Sequence, residues 1–423
     1  MQIAPKAKPG KIYWNKVLEE FFITIILPPF IGLPRLISNA MEIKRDNKTK
    51  YLTYIICISA IVATIISTKP PTGDQISYSM AYAAVPQQGF IGSLINIYGY
   101  LQAYEAPKTT ISVEFMNGVY NYVGYYLTFG YYPLFLFFYF TFEFSLIGMG
   151  LYHYLRNLKR PTVPIVSGMM ILLFFYLFFI MCSQLQKQYL GQAIMMYVLG
   201  CYADYGKMNT KLWIITAISI FTHQSMLLFV PFLLFKPFKQ RLTKKSLIML
   251  IGFVFVFIAI APNIAGKVTN NTNYQESSAL TYGLNRLSNA KQTDGLTMDI
   301  VQFIVVCIPM LYILFKNLWI ERKKISNHVA YMLNIALLLI VLIIAMQPVP
   351  LLQYRYFNTT FSFLPFIYPF MFSKIKSRDY FLKFVGFSML FILMATIGST
   401  GRTYAPLINL ICEPPILLIA GFF

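Results

Sequence analysis

Charged residues are scarce in this 423-residue chain, at 12% of the sequence, whereas soluble domains contain about 25%. That scarcity excludes an ordinary soluble domain. Hydrophobic residues make up 57% of the sequence, and many occur in runs of about 20, the length that a helix needs to cross a bilayer core. Such runs cover residues 131–152, 162–183, 246–265, 298–315, 328–346 and 380–397. We therefore predict an all-α integral membrane protein with roughly 10–13 transmembrane helices.

Several catalytic signatures are also missing. The sequence has no Walker A loop, no HExxH and no Asp-x-Asp, which argues against nucleotide hydrolysis and metal-dependent sugar-nucleotide chemistry. The cysteines all fall in apolar runs without metal-ligand spacing, and we expect them to be buried packing residues. They are Cys57, Cys182, Cys201, Cys307 and Cys412. We accordingly expect neither a metal nor a cofactor, so that the energy comes from an activated substrate or from a gradient.

Positive charge, in contrast, is abundant: 35 Lys and Arg against 15 Asp and Glu give a net charge of +20. The cations form short clusters between apolar runs, as cytoplasmic loops do, and no basic helix or aromatic-basic motif points to nucleic-acid binding. The clusters lie at 44–50, 156–160, 236–245, 316–324 and 374–383. Their alternation predicts extracytoplasmic connections at 68–130 and 266–297. We divide the chain into a basic N-terminal segment, 1–50, and a polytopic membrane domain, 51–423.

The alternation of basic clusters fails in one place. Lys211 and Lys236 should both be cytoplasmic, which requires two crossings between them. The 24 residues that separate them are enough for one crossing and too few for two. This stretch contains the polar patch Thr222–Ser225. One solution is a re-entrant pair of half-helices meeting at His223, which is tolerated at membrane depth where it lines a polar cavity. The other is one ordinary helix, with residues 184–211 laid out differently. Residues 17–38 also allow two interpretations: a helix that lies in the membrane interface, or a helix that spans the membrane.

Three ionisable residues stand out from solvated loop charges. His223 lies in an apolar stretch, where a titratable ring is costly. Arg355 follows a proline-marked turn and is flanked by tyrosines, and its rigid fork suits phosphate oxygens. Glu143 lies in the middle of a predicted span, where a carboxylate is either functional or paired with a neighbouring helix.

Segments of the chain resemble, in order, the motifs of bacterial polysaccharide polymerases of the EpsG-like branch of the Wzy group. Residues 69–74 with Tyr78 resemble the signature Arg-x-x-x-Gly-Thr-Asp-x-x-x-Tyr. Glu114 resembles the acidic residue of the next hydrophobic block. Residues 187–193 resemble the Arg-Gln-x-Leu-Ala segment, residues 220–225 the Ala-x-x-Phe-His-x-Ser segment, and Arg355-Tyr356 the late Arg-Tyr pair.

The resemblance covers residues 50–372, with three departures. Lys69 and Lys187 stand where the family usually has arginine, and Thr72-Gly73 inverts the usual Gly-Thr. A lysine keeps the charge but loses the bidentate fork. The assignments of Lys69 and Lys187 therefore depend on charge alone.

This resemblance implies a GT-C-like, metal-independent membrane glycosyltransferase of the bacterial inner membrane. Such enzymes move a growing glycan from undecaprenyl pyrophosphate to a hydroxyl of the next lipid-linked repeat unit, at the extracytoplasmic face, and make O-antigen, capsule or exopolysaccharide. The implied partners are the lipid-linked glycans, the bilayer and a chain-length regulator.

The chemistry suggests roles for the residues. A general base must take the proton of the acceptor hydroxyl, and the candidates are His223, Asp74 and Glu114. Cations must stabilise the leaving pyrophosphate. The candidates for binding pyrophosphate or glycan are Arg355, Tyr356, Lys187, Gln188, Arg402, Lys69, Tyr78 and Arg286.

Two alternatives remain. A glycan ligase would use the same carrier with a different acceptor. A flippase or transporter for lipid-linked oligosaccharide would move the substrate without covalent chemistry, and a broken helix beside a cationic cavity suits it equally. Against a transporter, the sequence shows no inverted repeat of two halves.

Overall fold

The computed structural model describes residues 11–44, 46–95, 112–174, 181–249, 300–346, 350–371 and 407–421, with 251, 252, 254 and 256. Helices dominate these ranges, and no strand occurs within them. The prediction of an all-α membrane protein is thereby confirmed. The loop predicted at 266–297 and the run at 380–397 lie outside the described residues.

The N-terminal half contains α1 (Trp14–Ile26), α2 (Pro29–Met41), α3 (Lys48–Ser67), α4 (Asp74–Ala83), α5 (Val85–Ile95), α6 (Met116–Leu127), α7 (Tyr132–Leu155), α8 (Thr162–Phe174), α9 (Gln186–Tyr205) and α10 (Thr210–Thr222). A 3-10 helix (Gln224–Phe229) leads into α11 (Val230–Leu234). Then follow α12 (Ile300–Phe315), α13 (Asn327–Ala345), α14 (Pro350–Thr360), α15 (Leu364–Ile367), α16 (Leu407–Cys412) and α17 (Pro415–Ala420).

Four helical stretches among the described residues are long and apolar enough to cross a membrane: Lys48–Ser67, Tyr132–Leu155, Val301–Ile320 and Asn327–Ala345. Three of them coincide with predicted runs, because hydrophobicity over about 20 residues is sufficient to locate a span. Shorter apolar helices occur at Thr162–Leu172, Thr210–Thr222 and Gln224–Leu234. The total of 10–13 spans and their orientation stay predictions.

Side-chain caps explain where several helices begin. Asn47 accepts a hydrogen bond from the backbone N–H of Lys50 at the start of α3, and Asn209 does the same for Leu212 in α10. Ser326 caps α13 in this way. Each cap satisfies one of the N–H groups that a helix N-terminus leaves without a partner.

The described residues divide into two compact units, one within 2–233 and 372–423 and the other within 234–371. In the first unit, α7 packs along both α3 and α9. The α7–α9 crossing is close because Gly150 faces Gly200: a side chain on Gly200 would overlap the backbone carbonyl of Gly150. Small residues permit this kind of approach between membrane helices.

Residues 17–38 do not form one helix. The chain breaks at Leu27-Pro28 between α1 and α2, because proline removes a backbone donor and restricts the residue before it. Each helix has 13 residues and a length of about 20 Å, short of the roughly 30 Å hydrocarbon core.

The expectation that every cysteine is buried is wrong for Cys412. The other four are buried, whereas Cys412 is exposed at the last turn of the short helix α16. A helical side chain is buried only by the elements that pack against it, and the described helices in contact with α16, α2 and α17, leave Cys412 uncovered.

Candidate functional site

A buried ionic cluster forms around Glu114, in the turn before α6. The Lys187 ammonium lies 2.6 Å from Oε2 of the carboxylate. The backbone N–H of Gln224 donates to Oε1 over 3.1 Å, and Nε2 of His223 lies 3.8 Å from the same oxygen. We call Glu114, Lys187, His223 and Gln224 the Glu114 cluster. It brings together three residues that the sequence analysis had proposed separately.

The break at His223 is the local feature that builds this cluster. His223 ends α10 with an extended backbone (φ −153°, ψ 123°), and a 3-10 helix begins at Gln224. The interruption turns the Gln224 N–H away from helix bonding and toward Glu114. The predicted break at His223 is confirmed, while the return of the chain to the same membrane side stays a prediction.

Ser225 determines the tautomer of His223. The backbone N–H of Ser225 donates to Nδ1 over 3.3 Å, and the Ser225 hydroxyl lies 2.6 Å from the same nitrogen. Because an N–H can only donate, Nδ1 must accept. A neutral ring then carries its proton on Nε2, the nitrogen that faces Glu114.

Two residues that the sequence analysis missed hold the cluster in place. The Asn117 amide donates to the Glu114 carbonyl over 3.1 Å and to the Thr222 carbonyl over 2.8 Å. The Tyr120 hydroxyl lies 3.1 Å from Oγ1 of Thr222. Both residues follow Glu114 within two helical turns. The asparagine three positions after the acidic residue is the sequence feature from which its contact with the Glu114 carbonyl could have been predicted.

Helix α9 presents its first turns to the cluster. Lys187, Gln188 and Gln192 are all buried there. Gly191 allows the close approach of His223, because a Cβ at this glycine would lie 3.2 Å from the Cβ of His223. Ser219 adds a hydrogen bond of 2.7 Å to the Gly191 carbonyl. The segment resembling Arg-Gln-x-Leu-Ala is thus the wall against which the broken helix packs.

Charge decides the ionisation of Glu114. Burial by itself raises the pKa of this carboxyl. The Lys187 ammonium, the His223 ring and the hydrogen bonds from Lys187 and from the Gln224 N–H act in the opposite direction, and together they hold the pKa of Glu114 below its usual value. The carboxyl is therefore ionised at neutral pH, ready to accept a proton.

The motif at residues 69–78 divides between buried and exposed positions. Lys69 is buried and donates to the Ser183 hydroxyl over 3.4 Å, and burial lowers the pKa of Lys69. Tyr78 is buried in α4, whereas Asp74 is exposed at the first position of that helix. Within the described ranges, no hydrogen bond or ion pair joins Asp74 to the Glu114 cluster. Its proposed role as a base stays a prediction.

Arg355 and Tyr356 lie in α14, in the unit formed by residues 234–371. Arg355 is half-buried, and its carbonyl accepts a hydrogen bond of 3.0 Å from Thr359. The two residues follow Pro350, which begins the helix and suits its first turn. Arg286 and Arg402 lie outside the described residues, and their roles stay predictions.

A second buried polar cluster in the first unit was missed by the sequence analysis. Asp204, near the end of α9, has His153 Nδ1 at 3.0 Å and Arg156 Nη2 at 2.7 Å, and the Asn157 amide donates to it over 2.7 Å. The sequence feature that could have predicted this cluster was a single aspartate beside two basic loops. This Asp204 cluster ties α7 to α9 about 25 Å along the helix from Lys187.

Glu143 is a further carboxyl inside the first unit. It is fully buried in α7, and neither oxygen has a hydrogen-bond partner among the described residues. Uncompensated burial of a charged carboxylate is expensive, so the neutral form is the one that fits this position. The prediction that it pairs with a neighbouring helix finds no support within those residues.

The family model that matches the chain is described as the EpsG family and covers residues 90–409. Glu114, Lys187, His223 and Arg355 fall inside the matched stretch, while residues 69–78 precede it. No curated protein sequence matches the chain. No solved structure matches it either.

Proposed function

Because the chain belongs to the EpsG family of Wzy-like polysaccharide polymerases, we propose that it joins undecaprenyl-pyrophosphate-linked repeat units at the extracytoplasmic face of the bacterial inner membrane. The observation that carries the proposal is the Glu114 cluster: an ionised, largely enclosed carboxylate facing a histidine whose tautomer is set. A glycosyl transfer needs a base at the acceptor hydroxyl, and this pair supplies one.

The acceptor hydroxyl is proposed to bind beside Nε2 of His223 and Oε1 of Glu114 and to bridge them. Their separation of 3.8 Å is too long for a direct hydrogen bond, but one oxygen to the side of the pair, about 2.8 Å from each atom, can bond to both. The Nε2–H then orients the hydroxyl oxygen, and the O–H points at the carboxylate. In this arrangement Glu114 is the base and His223 positions the nucleophile.

In the proposed transfer, the acceptor oxygen forms a bond to the anomeric carbon and the bond from that carbon to the pyrophosphate oxygen breaks. The proton of the acceptor hydroxyl passes to Glu114. The electron pair of the broken bond stays on the pyrophosphate, whose charge needs fixed cations. Arg355 and Arg402 are proposed to supply them, because a guanidinium binds phosphate oxygens in pairs. With these cations the reaction is proposed to proceed without a metal.

A flippase for the same lipid-linked glycan is the second candidate. The broken helix at His223 favours it, since interrupted helices line the substrate sites of many transporters. A flippase moves the carrier without forming a bond, so it has no need of a base. The two functions therefore differ in the expected effect of Glu114→Gln.

The test uses purified protein in proteoliposomes with a lipid-linked repeat unit. For a base, Glu114→Gln should lower polymer formation by about 10²–10⁴-fold, and the exposed Glu19 provides the matched control Glu19→Gln, which should leave it unchanged. His223→Gln should also lower the rate, since an amide cannot reproduce both ring nitrogens. Normal polymer ladders from Glu114→Gln would remove its role as the base. Transport of the lipid-linked unit by a wild-type protein that makes no polymer would establish the flippase.

A further inference from the structure

The second unit contains a cavity that the glycosyl transfer does not use. Its volume is about 420 Å³, and it lies between the helical residues that precede 252, α12 and α13. The described residues that line it are aliphatic or aromatic, including Leu247, Leu314, Leu318 and Leu337. A lining so poor in polar groups cannot fix a sugar or a nucleotide, because such ligands need hydrogen-bond partners when they are buried. The lining fits a hydrocarbon chain.

The mouth of the cavity has the opposite chemistry. Trp319 lines the cavity, and the ammonium of the exposed Lys244 lies 4.5 Å from the centre of its ring. Trp319 stands at the end of the candidate span Val301–Ile320, and tryptophan is enriched at the level of the lipid head groups. We take the Trp319 end as the mouth of the cavity, because it lies where a membrane lipid changes from hydrocarbon to polar head group.

The end of this span is unusual. Residues Lys316–Ile320 form a π-helical turn, in which the N–H of Glu321 donates to the Lys316 carbonyl over 2.7 Å. The ring of Phe315 stacks on that of Trp319, with 6.3 Å between the centroids. Single π-helical turns carry an energetic cost and occur frequently at functional sites. Here the turn contains the tryptophan that lines the cavity.

The two segments beside the cavity mouth are strongly basic. The Arg241 guanidinium joins them by donating to the Lys323 carbonyl over 3.1 Å and to Oδ1 of Asn327 over 3.3 Å. The carboxylate among these cations is Glu321, which lies 3.6 Å from Lys324. We call these cations the basic rim: Arg241, Lys244, Lys245, Arg322, Lys323 and Lys324. The excess of positive charge suits an anionic head group.

We propose that the second unit binds one anionic membrane phospholipid, with an acyl chain in the cavity and the phosphate at Lys244 and the basic rim. The apolar lining selects a chain, and the rim selects the charge of the head group. A free phosphate would gain nothing from the cavity, and a zwitterionic lipid would gain less from the rim. This lipid binding does not depend on the polymerase reaction, so an experiment that refutes one of the two proposals leaves the other unaffected.

The test measures lipids that stay bound, by native mass spectrometry of the full chain released from nanodiscs of phosphatidylcholine with a minor share of phosphatidylglycerol. Phosphatidylglycerol should be retained in excess over its share. Lys244→Gln should lower that retention about five-fold, the effect of one lysine near a lipid phosphate. Lys207→Gln, at an exposed lysine of another loop, should leave it unchanged.

A second arm tests the cavity. Leu314→Trp should fill it and reduce retention, and its melting temperature must be measured because Leu314 is buried. Without any substitution, phosphatidylglycerol with six-carbon chains should compete poorly with the long-chain lipid. Equal retention of the two head groups, equal retention by Lys244→Gln, or full competition by the short-chain lipid would each overturn the proposal.

Discussion

At the residue scale, Lys187 and Glu114 form a pair whose members depend on each other. The ammonium lies 2.6 Å from the carboxylate, and both side chains are largely enclosed. Removing one partner of such a pair leaves the other as a buried charge without compensation. Lys187, which the sequence analysis proposed for pyrophosphate binding, donates to Glu114 here. The consequence is a link between one lysine and the protonation of the proposed base.

This link predicts a change in pH dependence. With Lys187 present, the pKa of Glu114 lies below its usual 4.5, so activity should fall only in acid below that value. In Lys187→Met, burial is opposed only by His223 and the Gln224 N–H, so the pKa of Glu114 should rise and the loss of polymer formation should begin at a higher pH. Lys187→Arg should restore the wild-type profile, and Lys159→Met, at an exposed lysine, should not alter it. An unchanged acid limb in Lys187→Met would refute the electrostatic role of Lys187.

At the element scale, the crossing of α7 and α9 connects two polar clusters in the first unit. The Glu114 cluster meets the N-terminal end of α9, and the Asp204 cluster its C-terminal end. Between them the backbones approach at Gly150 and Gly200. The position of α9, which carries Lys187, against α7 therefore depends on these two glycines.

Gly200→Ala should separate the helices, because the new Cβ would overlap the Gly150 carbonyl. Overpacking of this kind costs about 1–3 kcal/mol, so the melting temperature in detergent should fall and polymer formation with it. The helical Gly252 has open space around its Cβ position, and Gly252→Ala should be neutral. Equal melting temperatures of Gly200→Ala and wild type would show that α7 and α9 do not approach as described.

At the scale of the whole molecule, the alternation of basic clusters predicts which side each connection faces. Residues 236–245 and 316–327 should be cytoplasmic, and residues 266–297 and Arg355 extracytoplasmic, because short cytoplasmic loops carry the excess of Lys and Arg. The basic rim of the lipid site would then face the inner leaflet. The proposed base and the acceptor would be approached from outside.

Cysteine labelling in intact cells tests this orientation. The background needs Cys412→Ser, since Cys412 is exposed and the other four cysteines are buried. A membrane-impermeant maleimide should label Leu280→Cys and should not label Gln240→Cys, which becomes reactive after the membrane is opened. The reverse pattern would invert the topology and with it the face on which the reaction is proposed.

Local properties of the sequence determined much of this protein. Hydrophobicity over about 20 residues located three of the four long apolar helices, and the polar patch at Thr222–Ser225 located the broken helix. Both succeeded because the cost of burying polar groups in a bilayer acts on each segment by itself. Motif order also selected Glu114, Lys187 and His223 as candidate site residues, and the structure places the three side chains together.

The tertiary structure alone decided how those residues meet. Lys187 is 73 residues from Glu114 along the chain, and Gln224 is 110 residues away, so no local pattern predicts that both bond to one carboxylate. The same holds for the hydrogen bond from Asn117 to the Thr222 carbonyl and for the facing pair Gly150 and Gly200. Their roles depend on which helices pack together, and that is determined by the fit of side chains across helices, which a single sequence does not display. The free-energy cost of placing each segment in the membrane can be read from the sequence, whereas contacts between distant residues exist only in the folded chain.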